Sequence, residues 1–113
     1  MTQELTVAQS SVAGATVLRP GGDIDMSCAP SVRKAVAAVM RDRPARLVLD
    51  LSAVMYMDSS GIATLVEALQ QSMRNKMKFV LVGVNPQVRS ALEITKLLSM
   101  FTIAATLEDA TKK

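Results

Sequence analysis

A chain of 113 residues, half of them hydrophobic and a fifth charged, can bury about two thirds of the surface it exposes when unfolded, which is enough for one self-supporting core and excludes a disordered chain. Cys28 is the only cysteine and histidine is absent. There is therefore no internal disulfide framework, as suits a reducing compartment, no usual general base or triad partner, and too few nitrogen and sulfur donors for a zinc site. The net charge of +3 is not arranged for nucleic acid: Arg41, Arg43 and Arg46 are interrupted by Asp42 and Pro44, and the only aromatics are Tyr56, Phe79 and Phe101.

Leu5, Val7 and the stretch Val12 to Leu18 favour strand. Gln9, Ser10 and Ser11 separate them, and Arg19-Pro20-Gly21-Gly22 closes the second, which predicts an N-terminal pair of strands joined by a turn. The period then changes. Val32, Val36, Val39 and Met40 fall at helical spacing, with Pro30 tolerated in the first turn, predicting a helix from about Cys28 to Arg41 that Pro44 ends. Ala45 to Leu51 is a compact apolar run, read as a central strand. Ile62, Leu65, Val66, Leu69 and Met73 mark one face of a second helix, from Ser59 or Ser60 to about Asn75. Phe79 to Val84 is the next buried strand, Asn85-Pro86 opens a third helix reaching Ile94, and Phe101 to Ala104 is a last strand. Glu108 to Lys113 is a short terminal helix or a frayed end. No apolar run reaches the roughly 18 residues of a membrane span, so direct membrane insertion is not expected.

Alternating strands and helices imply right-handed crossovers and a mostly parallel sheet with one antiparallel exception at the N-terminus. Binding chemistry then belongs at the carboxyl ends of the strands, where two loops stand out: Gly22-Asp23-Ile24-Asp25 and Met57-Asp58-Ser59-Ser60-Gly61. Val54, Met55 and Met57 are expected to tuck the second loop beneath the sheet edge and leave its serines at the tip. Asp and Ser are good helix caps, but a carboxylate, two hydroxyls and a glycine exceed what one cap needs. Lacking a base, a serine here makes a poor nucleophile and a good acceptor for a phosphoryl group from a separate kinase; a reading with Lys76 or Lys78 as base fails because both lie a helix away. Free first-turn amides and the helix dipole favour the added anion, while Asp58 and Asp25 oppose it. Cys28 and the eight methionines read as packing residues. No glycine-rich phosphate loop is present, so no nucleotide or other cofactor is expected.

The strand Leu47-Val48-Leu49-Asp50-Leu51-Ser52 leading into Met57-Asp58-Ser59-Ser60-Gly61-Ile62, the earlier Gly22-Asp23-Ile24-Asp25, and Val82 through Asn85-Pro86 into Val88-Arg89 make the chain resemble the stand-alone STAS domains of the bacterial anti-sigma factor antagonist family. The likeness runs from near Glu4 to Leu107. It implies a single STAS domain over residues 1–113, with a mixed, mostly parallel sheet of four to five strands and three to four helices. It also implies a cytoplasmic switch with no catalytic activity. In that family the serine after the aspartate is phosphorylated by the anti-sigma factor, a protein serine kinase, and dephosphorylated by a PP2C-type phosphatase; here that serine is Ser59. The unmodified form is expected to bind the kinase and free the sigma factor. The partner surface implied by the resemblance comprises Asp23, Asp25, Asp58, Ser60, Gly61, Ala63, Thr64 and Glu67, with Gly61 admitting a partner's backbone and Ala63, Thr64 and Glu67 on the helix face away from the core. The alternative within the same fold is a regulatory subunit of a lipid-transport ABC complex, bound to its ATPase subunit. Three features depart from the family: Lys96 where a glycine often ends the third helix, Met26-Ser27-Cys28 in place of a more polar opening, and a basic pI of about 9.4.

Overall fold

The computed structural model describes residues 6–112, so expectations for Glu4, Leu5 and Lys113 lie outside it. Elements follow in the order β1 (Val7–Val12), β2 (Ala15–Pro20), α1 (Ala29–Asp42), β3 (Arg46–Asp50), α2 (Ser59–Arg74), β4 (Lys78–Val82), α3 (Pro86–Ile94), a 3₁₀ turn (Leu98–Met100), β5 (Thr102–Ala104) and α4 (Leu107–Ala110). They form one five-stranded sheet in sequence order. β1 pairs antiparallel with β2, and β2 to β5 run parallel.

The hairpin turn differs from its predicted place. Gln9, Ser10 and Ser11 belong to β1, and the chain reverses at Ala13 and Gly14, both at positive φ (50° and 81°), as a two-residue hairpin turn requires. The separator looked polar because β1 is an edge strand, exposed from Ala8 to Val12. From α1 to β5 the boundaries agree within two residues, apart from the unexpected 3₁₀ turn, and α4 ends at Ala110, earlier than the expected 108–113. β4 stops at Val82 rather than Val84 because Gly83 turns the chain at φ 72°.

A strand order that simply follows the sequence, built with right-handed crossovers, places all three crossover helices on one face. Alternate strand residues accordingly serve two layers. Leu47, Leu49, Phe79 and Leu81 join Val32, Val36, Leu65 and Leu92 under α1–α3, whereas Val17, Val48, Val80 and Val82 face the other way, where α4 contributes Ala110 and Leu107. Phe79 and Phe101 meet edge to face, 6.4 Å apart.

The buried stripe of α2 is not the one the apolar spacing predicts. Gly61, Thr64, Leu65, Ala68 and Ser72 are innermost; Ile62, Val66 and Leu69 pack only at the margins, and Met73 is 68 % exposed. Small residues bring the helix axis close to its neighbours. Thr64 and Ser72 can be buried because their hydroxyls donate to the carbonyls of Ser60 (2.8 Å) and Leu69 (2.7 Å) within the helix.

Candidate functional site

Three strand-to-helix loops meet at the carboxyl end of the sheet. Gly22–Asp25 leads from β2 into α1, 51–58 from β3 into α2, and 83–85 from β4 into α3. The first two are stitched together by a parallel bridge between Ile24 and Met57. Ile24 N–H donates to the Tyr56 carbonyl at 3.1 Å, and Asp58 N–H to the Ile24 carbonyl at 3.2 Å. Asp23 accepts from the amides of Met55 and Tyr56 through one oxygen, each at 3.1 Å. Asn85 ties in the third loop, donating to the Val54 carbonyl and accepting from Val88 N–H, both at 2.8 Å. Val54 and Met57 are buried under the loop as expected, but Met55 is 63 % exposed.

Asp58 is the hub of the site. Its Oδ1 accepts from Ser60 N–H (2.9 Å), Gly61 N–H (3.2 Å) and the Ser60 hydroxyl, and its Oδ2 accepts from Met26 N–H (3.2 Å). It therefore caps α2 and pins the entrance of α1 at once. These donors, the Ser60 hydroxyl foremost, hold its pKa below the ordinary carboxylate range. Asp25 is lowered as well, chiefly by the Ser27 hydroxyl (2.6 Å) and then by Ser27 N–H (2.9 Å). Both are charged at neutral pH. Contrary to what the sequence suggests, the first-turn amides of Ser60 and Gly61 are not free for an added anion, because Asp58 already takes them.

The two serines are not equivalent. Ser60 Oγ is committed to Asp58. Ser59, first residue of α2, is exposed, and its hydroxyl makes no hydrogen bond among the described residues. Exposed apolar side chains surround this end of the sheet: Met26 (76 %), Met55 (63 %) and Tyr56 (46 %). All three lie in loops between elements, where no periodic signal marks an exposed apolar surface. Ala63 is exposed as expected. Two other residues require correction, Thr64 and Gly61. Thr64 is 2 % exposed and turned inward, leaving no surface for a partner. Gly61 is buried, and a Cβ there would lie 2.7 Å from the Ile24 carbonyl oxygen, so the close approach it permits is by its own chain. Glu67 is half-buried in an ion pair with Arg33 of α1 at 2.8 Å.

Cys28 is buried at the N-terminus of α1, donating to the Asp23 carbonyl at 3.1 Å, and burial pushes its thiol pKa up; it packs as expected. Met40, Met57 and Met77 are core residues, but Met26, Met55, Met73 and Met100 are exposed, contrary to a general packing role. Lys76 lies just beyond the 16-residue α2, about 24 Å from Ser59 at the helical rise. A serine–lysine catalytic pair is therefore ruled out by distance.

The site is thus a hydroxyl-bearing, Asx-capped helix start with exposed apolar side chains on the loops beside it. The chain belongs to the STAS domain family, which matches residues 6–110. It is 33 % identical over 106 residues, 94 % of this chain and 86 % of the relative, to the anti-sigma-F factor antagonist RsfB of Mycobacterium tuberculosis. It is 32 % identical over 82 residues, 73 % of this chain and 72 % of the relative, to an anti-sigma-B factor antagonist of Listeria monocytogenes. It superposes on the crystal structure of an anti-sigma factor antagonist from Mycobacterium paratuberculosis with a TM-score of 0.84 and 32 % identity, covering 96 % of this chain and 92 % of that one. Each is named for a regulatory antagonism, and none of the three for an enzymatic activity.

Proposed function

We propose that this protein is an anti-sigma factor antagonist working as a phosphorylation-controlled binding switch in the cytoplasm. Unmodified, it docks on an anti-sigma factor that is also an ATP-dependent serine kinase, and the sigma factor is released. Transfer of the γ-phosphoryl group of ATP to Ser59 Oγ, with ADP leaving and the kinase supplying the base this chain lacks, ends the association. A PP2C-type phosphatase restores it.

The observation that carries the reading is the difference between the serines: Ser59 Oγ is free and exposed, Ser60 Oγ is engaged. A phosphate adds about −1.5 to −2 charge at neutral pH. At Ser59 it would stand beside the ionised Asp58, which has already taken the Ser60 and Gly61 amides, and so would depend on water for its solvation. Covering it with a partner would strip that water without replacement. A loss of about 4 kcal/mol weakens binding roughly a thousandfold, with no rearrangement of the fold. Met26, Met55 and Tyr56 supply the apolar contact that the unmodified surface offers.

The test is titration calorimetry against the cognate anti-sigma factor with wild type, Ser59→Ala and Ser59→Asp, together with tandem mass spectrometry after incubation with the kinase and ATP. The expected result is a gain of about 80 Da at Ser59, the mass of the phosphoryl group that the reading transfers there, near-native affinity for Ser59→Ala and strongly reduced affinity for Ser59→Asp. Equal affinities for the two variants, or modification at Ser60, would refute the proposal.

A further inference from the structure

The surface has two poles of opposite character, and only one holds the site. Parallel strands and right-handed crossovers gather the amino ends of β2–β5 and the carboxyl ends of α1–α3 at the end remote from Ser59. Cations collect there: Arg41 and Arg43 at the close of α1, Arg74 and Lys76 at the close of α2, Lys78 at the start of β4 and Lys96 after α3. All six are exposed. The ends of α1 and α2 touch, with Asn75 Nδ2 4.0 Å from Met40 Sδ, and Lys78 N–H donates to the Ala45 carbonyl at 3.3 Å, beside the Arg46–Lys78 register pair.

None of the six is in an ion pair among the described residues, where the recorded pairs belong to Arg19, Arg33, Arg89 and Lys112. Asp42, Glu93 and the α4 carboxylates Glu108 and Asp109 stand near this end, Glu93 drawn toward Arg89 at 3.6 Å and Glu108 toward Lys112 at 3.2 Å. At the site pole carboxylates prevail: Asp23, Asp25 and Asp58 stand there beside Asp50, which is paired with Arg19 at 3.2 Å, and Arg89 near the start of α3 is drawn toward Glu93.

Two further observations separate this pole from an ordinary solvated surface. Arg43, Lys76 and Lys96 have φ of 49°, 54° and 61°, the left-handed conformation that glycine adopts without strain, so a basic side chain stands at each of three helix ends where glycine would suit the backbone better. Exposed apolar side chains are also interleaved with the charges: Met73 in the last turn of α2, Ile94 at the end of α3 (79 %) and Met100 in the 3₁₀ turn (53 %). No aromatic is exposed at this pole, Phe79 and Phe101 being buried, which removes the stacking contacts of a single-strand nucleic-acid surface. Cations mixed with unpaired aliphatic side chains match instead an anionic bilayer surface, where charges meet headgroups and methionine or isoleucine enters the acyl boundary.

We infer that the pole formed by the carboxyl ends of α1–α3 is a peripheral docking surface for anionic phospholipid membranes, holding the Ser59 pole toward the aqueous phase. The test is flotation of the full chain with phosphatidylcholine vesicles and with vesicles containing 30 mol % phosphatidylglycerol, at 50 and 500 mM salt, alongside Lys76→Gly and Met73→Ser and a 20-base-pair DNA duplex as competitor. Binding is expected only to the anionic vesicles and is lost at high salt. Lys76→Gly should weaken it about fivefold, the contribution of one basic residue, while raising thermal stability by relieving the left-handed strain. Those opposite signs cannot come from a folding defect. Met73→Ser should weaken vesicle binding and leave stability unchanged. Absence of binding to anionic vesicles, insensitivity to both variants, or retention of the duplex in preference to vesicles would overturn the inference.

Discussion

Substituting Gly61 by alanine tests the geometry of the site through the sign of the effect. The new methyl would lie 2.7 Å from the Ile24 carbonyl oxygen and 3.1 Å from both Cβ and Cγ of Met57. Helix propensity alone favours Ala over Gly by about 0.5–1 kcal/mol. Against this, overpacking of a filled site costs roughly 1–3 kcal/mol, and retreat of Ile24 lengthens the bonds at 3.1 and 3.2 Å that join it to Tyr56 and Asp58, each worth about 1 kcal/mol. The net expectation is a loss of about 1–3 kcal/mol, or a fall in Tm on the order of 4–12 °C for a domain of this size. Urea denaturation at unchanged m-value, supported by calorimetry, measures it. A gain of about 0.5–1 kcal/mol, the result for a glycine facing open space or only an external partner, would show that the two loops are not closed on each other as described.

Lys96 at φ 61° completes a Schellman turn, with Leu97 N–H on the Leu92 carbonyl at 2.8 Å and Lys96 N–H on Glu93 at 3.0 Å; Lys96→Gly keeps both bonds without strain and should stabilise the fold by about 0.5–1 kcal/mol, read as a higher urea midpoint. Leu81 is fully buried in the central layer, and Leu81→Ala should cost about 2–5 kcal/mol in the same assay. Hydrogen bonds from Ser27 and Ser60 hold Asp25 and Asp58 below the ordinary carboxylate range when folded, so the stability they contribute is present above the unfolded value and lost as pH falls through the folded ones. Acid titration of Tm should therefore show a decline beginning near pH 4 that is shallower in Asp58→Asn. Replacing Met26 and Met55 together by alanine should leave Tm within about 2 °C, because both are solvent-exposed, and weaken binding to the anti-sigma factor more than tenfold by calorimetry; unchanged affinity would remove this patch from the interface.

Much of the architecture follows from sequence because local chemistry and tertiary demand coincide. The runs around Leu47–Leu51 and Phe79–Val82 are buried on both faces of the sheet, so an unbroken apolar stretch of strand length has a single interpretation. Asp58-Ser59-Ser60-Gly61 and Asn85-Pro86 announce helix starts through their capping chemistry, and both helices begin there. Edge strand β1 is less legible, since its exposed polar residues look like a turn until β2 pairs with them.

What only the tertiary structure decides is which of several chemically similar groups is committed. Ser59 and Ser60 are adjacent and identical, yet the reach of Asp58 Oδ1 engages one and leaves the other free. Thr64 and Met73 exchange their expected places because α2 packs close enough that small residues form its inner stripe, an outcome set by interhelical distance and invisible to hydropathy. Gly61 is glycine on account of a carbonyl from Ile24, 37 positions earlier in the chain. The division of charge between the poles likewise depends on parallel strands bringing every helix carboxyl end to one side. The sequence sets the elements and their caps, because those depend on neighbours a few residues away; the site and its opposite pole depend on which distant segments the sheet makes adjacent.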